Sequence, residues 1–263
     1  MSVIVTDAEV ALTDVLSLRL AMEKPLTEGA RLVLKHRGTG VKRSVALGRP
    51  VREGRSAGIA VPLAPLGLTP GRWDAYLEQD GGRTRLPCTD PGFSLDRLDA
   101  YALERRTMAY RAYRTRNGYL AVKVDPAEPV ADVRAVWLRE GRFEATGVLA
   151  YTGLHDDDEK RAARITLHGG GAATVTGTAT VYGVRFFAAL SLCDVLDATP
   201  DAQGEWTPAL EVEGVDGPLA LTSRLDDVEG KNRLVHYPVA HVDGVPIRPY
   251  FTEDDELRLR VGP

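Results

Sequence analysis

Cysteine is nearly absent from this chain: two residues in 263, Cys88 and Cys193, one in each half. That excludes a disulfide within either half, and two buried, reduced thiols are the expectation. Aromatic residues make up only 6%, lean for a surface that reads glycans by ring stacking. Neither charge sign dominates: a formal net charge of -4 gives the whole chain no broad attraction for nucleic acid. No apolar run approaches the length of a membrane span. Asp7 and Glu9 interrupt the amino-terminal stretch well short of a secretory leader. A cytoplasmic protein without a membrane span is expected.

Catalytic signatures are missing too. There is no Gly-x-Ser-x-Gly elbow, no phosphate loop and no dinucleotide fingerprint. Gly169-Gly170-Gly171 has no Lys-Ser or Lys-Thr after it and reads as a connector. No cofactor is expected.

What the chain does contain, it contains twice. A shift of 133 carries Trp73 onto Trp206, Ala30-Arg31-Leu32 onto Ala163-Arg164-Ile165, and Leu77-Glu78 onto Leu210-Glu211. The same shift carries Val3-Ile4-Val5 onto Val136-Trp137-Leu138, Val15-Leu16 onto Val148-Leu149, and Leu86 onto Leu219. Self-similarity at a fixed period signals duplicated structural units. Toward the end of each copy the shift becomes 137, bringing Tyr113-Arg114-Thr115 onto Tyr250-Phe251-Thr252 and Leu120 onto Leu257.

The periodicity is that of strands. Leu16-Ser17-Leu18-Arg19-Leu20 and Leu257-Arg258-Leu259-Arg260-Val261 alternate as half-buried strands do. Asn117-Gly118 between two such runs predicts a hairpin. About seven strands per half give an all-β fold of two tandem immunoglobulin-like β-sandwich domains from an internal duplication. The domains are expected at residues 1–125 and 133–263, with a Pro-containing linker at 126–132. Residues 94–110 mix helical and strand spacing and read as a loop with a helical turn. Trp73 and Trp206, in the same strand of both halves, are expected in the core rather than as stacking platforms.

Candidate functional residues lie where the copies differ. Arg105, Arg106, Arg111, Arg114 and Arg116 fall within twelve positions, beside Tyr110 and Tyr113. Such a stripe can hold phosphates or carboxylates bidentately; the bland alternative is an arginine-rich edge that deters strand pairing or pairs with the acidic second half. His236 and His241, with Asp243 nearby, mark a loop-like stretch at 236–243 that fits no zinc spacing. His155-Asp156-Asp157-Asp158-Glu159 has ligand-type residues, but Lys160 and Arg161 follow and a solvated loop is expected. Glu253-Asp254-Asp255-Glu256 occupies a turn and is read as structural. No metal site is expected.

Gly71-Arg72-Trp73-Asp74-Ala75-Tyr76-Leu77, Gly81-Gly82-Arg83-Thr84-Arg85-Leu86 and Tyr113-Arg114-Thr115-Arg116-Asn117-Gly118-Tyr119-Leu120 together resemble certain actinobacterial accessory domains. These are the immunoglobulin-like modules appended to teichoic-acid-type glycerophosphotransferases and family-2 glycosyltransferases. In the second half the best echo is Arg248-Pro249-Tyr250-Phe251-Thr252. The resemblance implies modules that bind the polymer or hold subunits together while a separate domain does the chemistry, so no catalytic residues carry over. The expected function is therefore a non-catalytic accessory protein that binds an anionic glycan polymer, or a glycosyltransferase or glycerophosphotransferase partner, in bacterial cell-envelope polymer synthesis. Its ligand residues would be Arg105, Arg111, Tyr113, Arg114, Arg116, His236 and His241. One alternative is a structural homo-oligomer; the other is a small transferase with its site at the module junction or in the 236–243 loop.

Overall fold

The computed structural model describes residues 3–47, 51–53, 56–90, 100–225, 228 and 230–263. The chain divides into two compact units: unit 1 is Met1–Tyr101 with Arg106–Ala127, and unit 2 is Ala102–Arg105 with Glu128–Pro263. Pro126 closes the last strand of unit 1, and Val130 opens the first long strand of unit 2.

Unit 1 runs through β1 (Val3–Val10), β2 (Val15–Met22), β3 (Arg31–His36), β4 (Lys42–Ala46) and β5 (Val51–Glu53). It continues with β6 (Ser56–Pro62), β7 (Gly71–Gln79), β8 (Gly82–Arg85), β9 (Met108–Arg114) and β10 (Leu120–Pro126). One sheet has the order β1-β2-β6-β5; the other is β4-β3-β7-β10-β9, with β8 added beside β7. Alternation dictates the core: Leu16, Leu18 and Leu20 from β2 meet Leu32 and Leu34 from β3, Trp73, Ala75 and Leu77 from β7, and Leu120, Val122 and Val124 from β10. Residues 100–103 are helical and Met108 already belongs to β9, so the ambiguous stretch holds both periods in succession; its residues 94–99 lie outside the described residues.

Unit 2 contains β11 (Val130–Arg139), β12 (Arg142–Ala150), β13 (Lys160–His168), β14 (Thr174–Tyr182) and β15 (Arg185–Ser191). After them come β16 (Gly204–Val212), β17 (Leu219–Thr222), β18 (Ala240–Val242), β19 (Val245–Phe251) and β20 (Leu257–Val261). The all-β expectation holds, but unit 2 is not a pair of separate sheets. β14 pairs with both β13 and β15, and β13 with β16, closing a ring of strands in the order β13-β14-β15-β12-β11-β17-β16. Gly177 makes the closure feasible. A Cβ there would lie 2.3 Å from the Ala189 carbonyl oxygen and 2.5 Å from Leu190 Cβ. Lacking a side chain, β14 can cross from one sheet to the other at this point.

Strand register shows how the copies correspond. Leu32 pairs with Leu77, and Ile165 with Leu210, keeping the shift of 133. Val122 pairs with Trp73 and Leu259 with Trp206, keeping 133 for the tryptophan strand and 137 for the closing one. The first hairpin departs from the shift read in the sequence. A bulge follows Val5 in β1 and Val133 in β11, so those strands correspond with a shift of 128, and Glu9 rather than Ile4 stands where Trp137 does. The opening match of Val3-Ile4-Val5 with Val136-Trp137-Leu138 is therefore a coincidence of apolar residues. Hairpin loops change length without disturbing the ladders they join, so a gapless shift cannot survive them.

Both tryptophans are core, as expected: Trp73 is 0% exposed and Trp206 1%. The cysteine expectation needs correction. Cys88 is buried and free, but Cys193 is free and exposed, carried on the outer side of the short helix Leu192–Asp197, whose buried residues are Leu192 and Val195. No helix among the described residues is long and apolar enough to cross a membrane.

Candidate functional site

The arginines of the stripe belong to both units and differ in exposure and partners. Arg105 belongs to unit 2, where its Nε donates to the Thr152 carbonyl at 2.8 Å. Arg106 is structural: it pairs with Asp14 at 2.5 Å and lies 3.5 Å over the Tyr101 ring, whose hydroxyl also donates to Asp14. Tyr110 and Tyr113 are buried, each 7% exposed. Arg111 is buried and 3.6 Å from Asp125. Arg114 ends β9 exposed, and Arg116 is exposed in the turn that follows. His236 and His241 are both exposed; His241 sits in β18 opposite Pro246, and His236 precedes that strand. Among the described residues no group of three or more His, Cys, Asp or Glu side chains is placed to hold a metal. In the acidic loop, Asp156 pairs with Arg185 and Asp157 with Arg161, so arginines occupy the carboxylates.

The concentration of charge lies elsewhere, on the outward face of the larger unit 1 sheet. Three pairs of cations stand directly opposite one another in its ladders: Lys35 with Lys42, Arg72 with Lys123, and Lys123 with Arg111. Arg85, opposite Tyr76, joins them and lies 4.5 Å over the Tyr119 ring. Carboxylates stand among these cations. Asp74 accepts from Arg72 Nε at 2.9 Å and Arg85 Nη2 at 2.8 Å, and Asp125 lies 3.7 Å from Lys123. Like charges directly opposite in a sheet are destabilising, and the interleaved carboxylates offset this here. Arg72, Arg85 and Lys123 keep 21%, 24% and 26% of their side-chain surface open to solvent, so the field is felt outside.

Unit 2 shows that the fold does not require this arrangement. At the positions matching Arg72, Lys123 and Arg111 it has Glu205, Arg260 and Arg248, and Glu205 pairs with Arg260 at 2.7 Å. That pairing holds the Glu205 carboxyl below the usual carboxylate range through hydrogen bonds from Arg260 and then Tyr250. The split runs through the whole chain. Unit 1 has 19 Lys and Arg against 13 Asp and Glu, a charge of +6. Unit 2 has 14 against 24, a charge of -10, and the two sum to the -4 of the chain.

Sequence reading missed this face because its members come from β3, β4, β7, β8, β9 and β10, no two of them close enough in sequence to form a run. The legible signal was the alternation of Arg31, Lys35 and Lys42 with Arg72 and Arg83 on strands sharing one inward pattern.

No family model matches the chain, and no curated protein does. Among solved structures, S. aureus TarS aligns at 11% identity and a TM-score of 0.37, over 71% of this chain and 34% of that one. A pullulanase from Anoxybacillus sp. LM18-11, complexed with maltotriose, aligns at 8% identity and a TM-score of 0.28, over 80% and 24%. Pullulanase type I from Bacillus subtilis str. 168, complexed with maltose, gives 10% and 0.23, over 83% and 24%. The chain thus spans about a third or less of the length of each. Likeness at this level does not define a shared fold.

Proposed function

We propose that this protein is a non-catalytic accessory protein that binds an anionic glycan polymer through the basic sheet face of unit 1. The observation that supports the reading is the set Arg72, Lys123 and Arg85, part-exposed cations on one face, with Glu205 standing in the second unit where Arg72 stands in the first. A polyanion laid across the sheet meets the part-exposed Arg72, Arg85 and Lys123 and releases its own counterions, so the face gains most from a repeating anion. The sequence resemblance to modules beside teichoic-acid-type transferases adds the class of polymer, sugar or polyol units joined by phosphates, and a transferase as the neighbouring activity.

Binding of poly(glycerol phosphate) and of an uncharged polysaccharide, each measured at low and high salt, tests this. The polyanion is expected to bind and to weaken steeply with salt. Arg72→Glu, which copies unit 2 and leaves Lys123 with a partner, is expected to weaken binding about tenfold while keeping the unfolding midpoint. Arg114→Ala and Arg116→Ala, off the face, should leave affinity within about twofold. Equal affinity and salt slope for duplex DNA would sink the glycan reading and leave a general cation-exchange surface. Binding unaffected by Arg72→Glu would remove this face as the site.

A further inference from the structure

We infer a second binding site, for the uncharged faces of sugar rings, on the outward side of the β14-β15-β12-β11 sheet of unit 2. It rests on different residues from the basic face and stands or falls separately. The third tryptophan, Trp137, is 40% exposed, while the other two are core. Phe187 is 41% exposed and Tyr182 52%. Register places all three on the same side. Phe186 and Ala188 point into the core, so Phe187 points out; Val181 is core, so Tyr182 points out.

The rings form a diagonal track. Tyr182 stands opposite Arg185, two residues from Phe187 on β15, which puts the two rings about 8 Å apart. Trp137 stands opposite Glu144, and Glu144 opposite Ala189, again two residues along from Phe187 but two strands across, about 12 Å away. The rings advance one step along the sheet at each stage and are too far apart to cover one another.

Their surroundings favour a sugar over a protein. Phe187 has a threonine directly opposite on each side, Thr146 and Thr180. Trp137 faces Glu144, which takes a hydrogen bond from Arg139 Nε at 2.7 Å, and the Arg139 guanidinium lies 5.4 Å from the indole. Phe187 and Trp137 are thus isolated apolar platforms, the first flanked by hydroxyls and the second by a carboxylate–guanidinium pair, while Tyr182 stands between Lys160 and Arg185. A pyranose matches this pattern, with a C–H face to stack and equatorial hydroxyls at its rim. A protein partner would be better served by a continuous apolar patch. The sandwich itself has no need of the rings: in unit 1 the matching positions are Glu9 and Gly58.

Titration of the full chain with chitohexaose, cellohexaose and maltohexaose, followed by tryptophan fluorescence, tests the site. Trp73 and Trp206 are fully buried, so a change in emission or in acrylamide quenching reports on Trp137. At least one of these oligosaccharides is expected to bind, to shield Trp137 from quencher and to be insensitive to salt. Trp137→Ala and Phe187→Ala are each expected to weaken it about tenfold, and Trp137→Phe by less. Arg72→Glu should leave this binding intact, which separates the outcome from that of the basic face. Absence of binding by all three sugars would overturn the proposal. So would binding untouched by both alanine variants, or a dimer of the native chain that Trp137→Ala dissociates, which would make the face a self-association surface.

Discussion

At the residue scale, the two core tryptophans show one position solved in two ways. His36 packs its ring edge-on to Trp73 at 5.0 Å, accepts from the Thr39 amide through Nδ1, and donates through Nε2 to the Pro70 carbonyl. The matching residue in unit 2 is Gly169, where a Cβ would come within 3.0 Å of the Trp206 ring. The histidine leaves no room beside it: a Cβ on Gly71, which has φ of 124°, would lie 2.5 Å from His36 Nε2. Gly71→Ala is therefore expected to cost unit 1 about 3 kcal/mol, read as a lower denaturant midpoint at unchanged slope. In unit 2, burial pushes the Tyr237 hydroxyl up to about 12. A phenol kept neutral above its unfolded value contributes stability below pH ~10 that fades as pH rises toward ~12. Tyr237→Phe should flatten the loss of stability across that window; an unchanged slope would show that other groups carry it.

At the scale of elements, turn chemistry repeats more faithfully than sequence. Thr115 and Thr252 cap the closing hairpins alike: each hydroxyl accepts an amide four residues on, from Tyr119 at 3.1 Å and Glu256 at 3.2 Å. The Asn117-Gly118 signal was readable because the loop ends on a left-handed residue, but the loop has three residues, Arg116 to Gly118, closed by the Thr115 amide on the Tyr119 carbonyl, with Gly118 at φ of 79°. The ring closure in unit 2 was not readable. Nothing in the alternation of Thr174-Val175-Thr176-Gly177-Thr178 says that one strand will serve two sheets, because an alternating strand has two edges and the pattern describes only its faces. Gly177→Ala is expected to force β14 away from β15. Amides of 178–182 should then exchange faster by at least about tenfold while the tryptophan strand β16 stays protected; uniform change across unit 2 would mean that the crossing is not local.

At the scale of the molecule, a modest net charge hides a basic unit of +6 and an acidic one of -10. The sum alone gives the whole chain no broad attraction for nucleic acid, while the division by unit gives a local basic half to the anionic glycan expected from the sequence. The two proposed faces should then respond differently to ionic strength in one protein. Raising salt from about 50 to 200 mM is expected to cut poly(glycerol phosphate) affinity by at least tenfold and to leave oligosaccharide affinity unchanged. Parallel loss of both would argue for a single site.

The sequence by itself determined most of the strands, the matching register of the middle and closing ones, the core tryptophans and the hairpin glycine, because each follows from local alternation or from a backbone conformation that few residues adopt. Tertiary structure decided the register of the first hairpin, the closure of unit 2, the exposure of Cys193 and Trp137, and the meeting of Lys35, Lys42, Arg72, Arg85 and Lys123 on one face. The reason is common to all of these. Alternation tells which residues of a strand share a side, but the partner strand, its register and what covers that side are set by contacts between residues far apart in the chain.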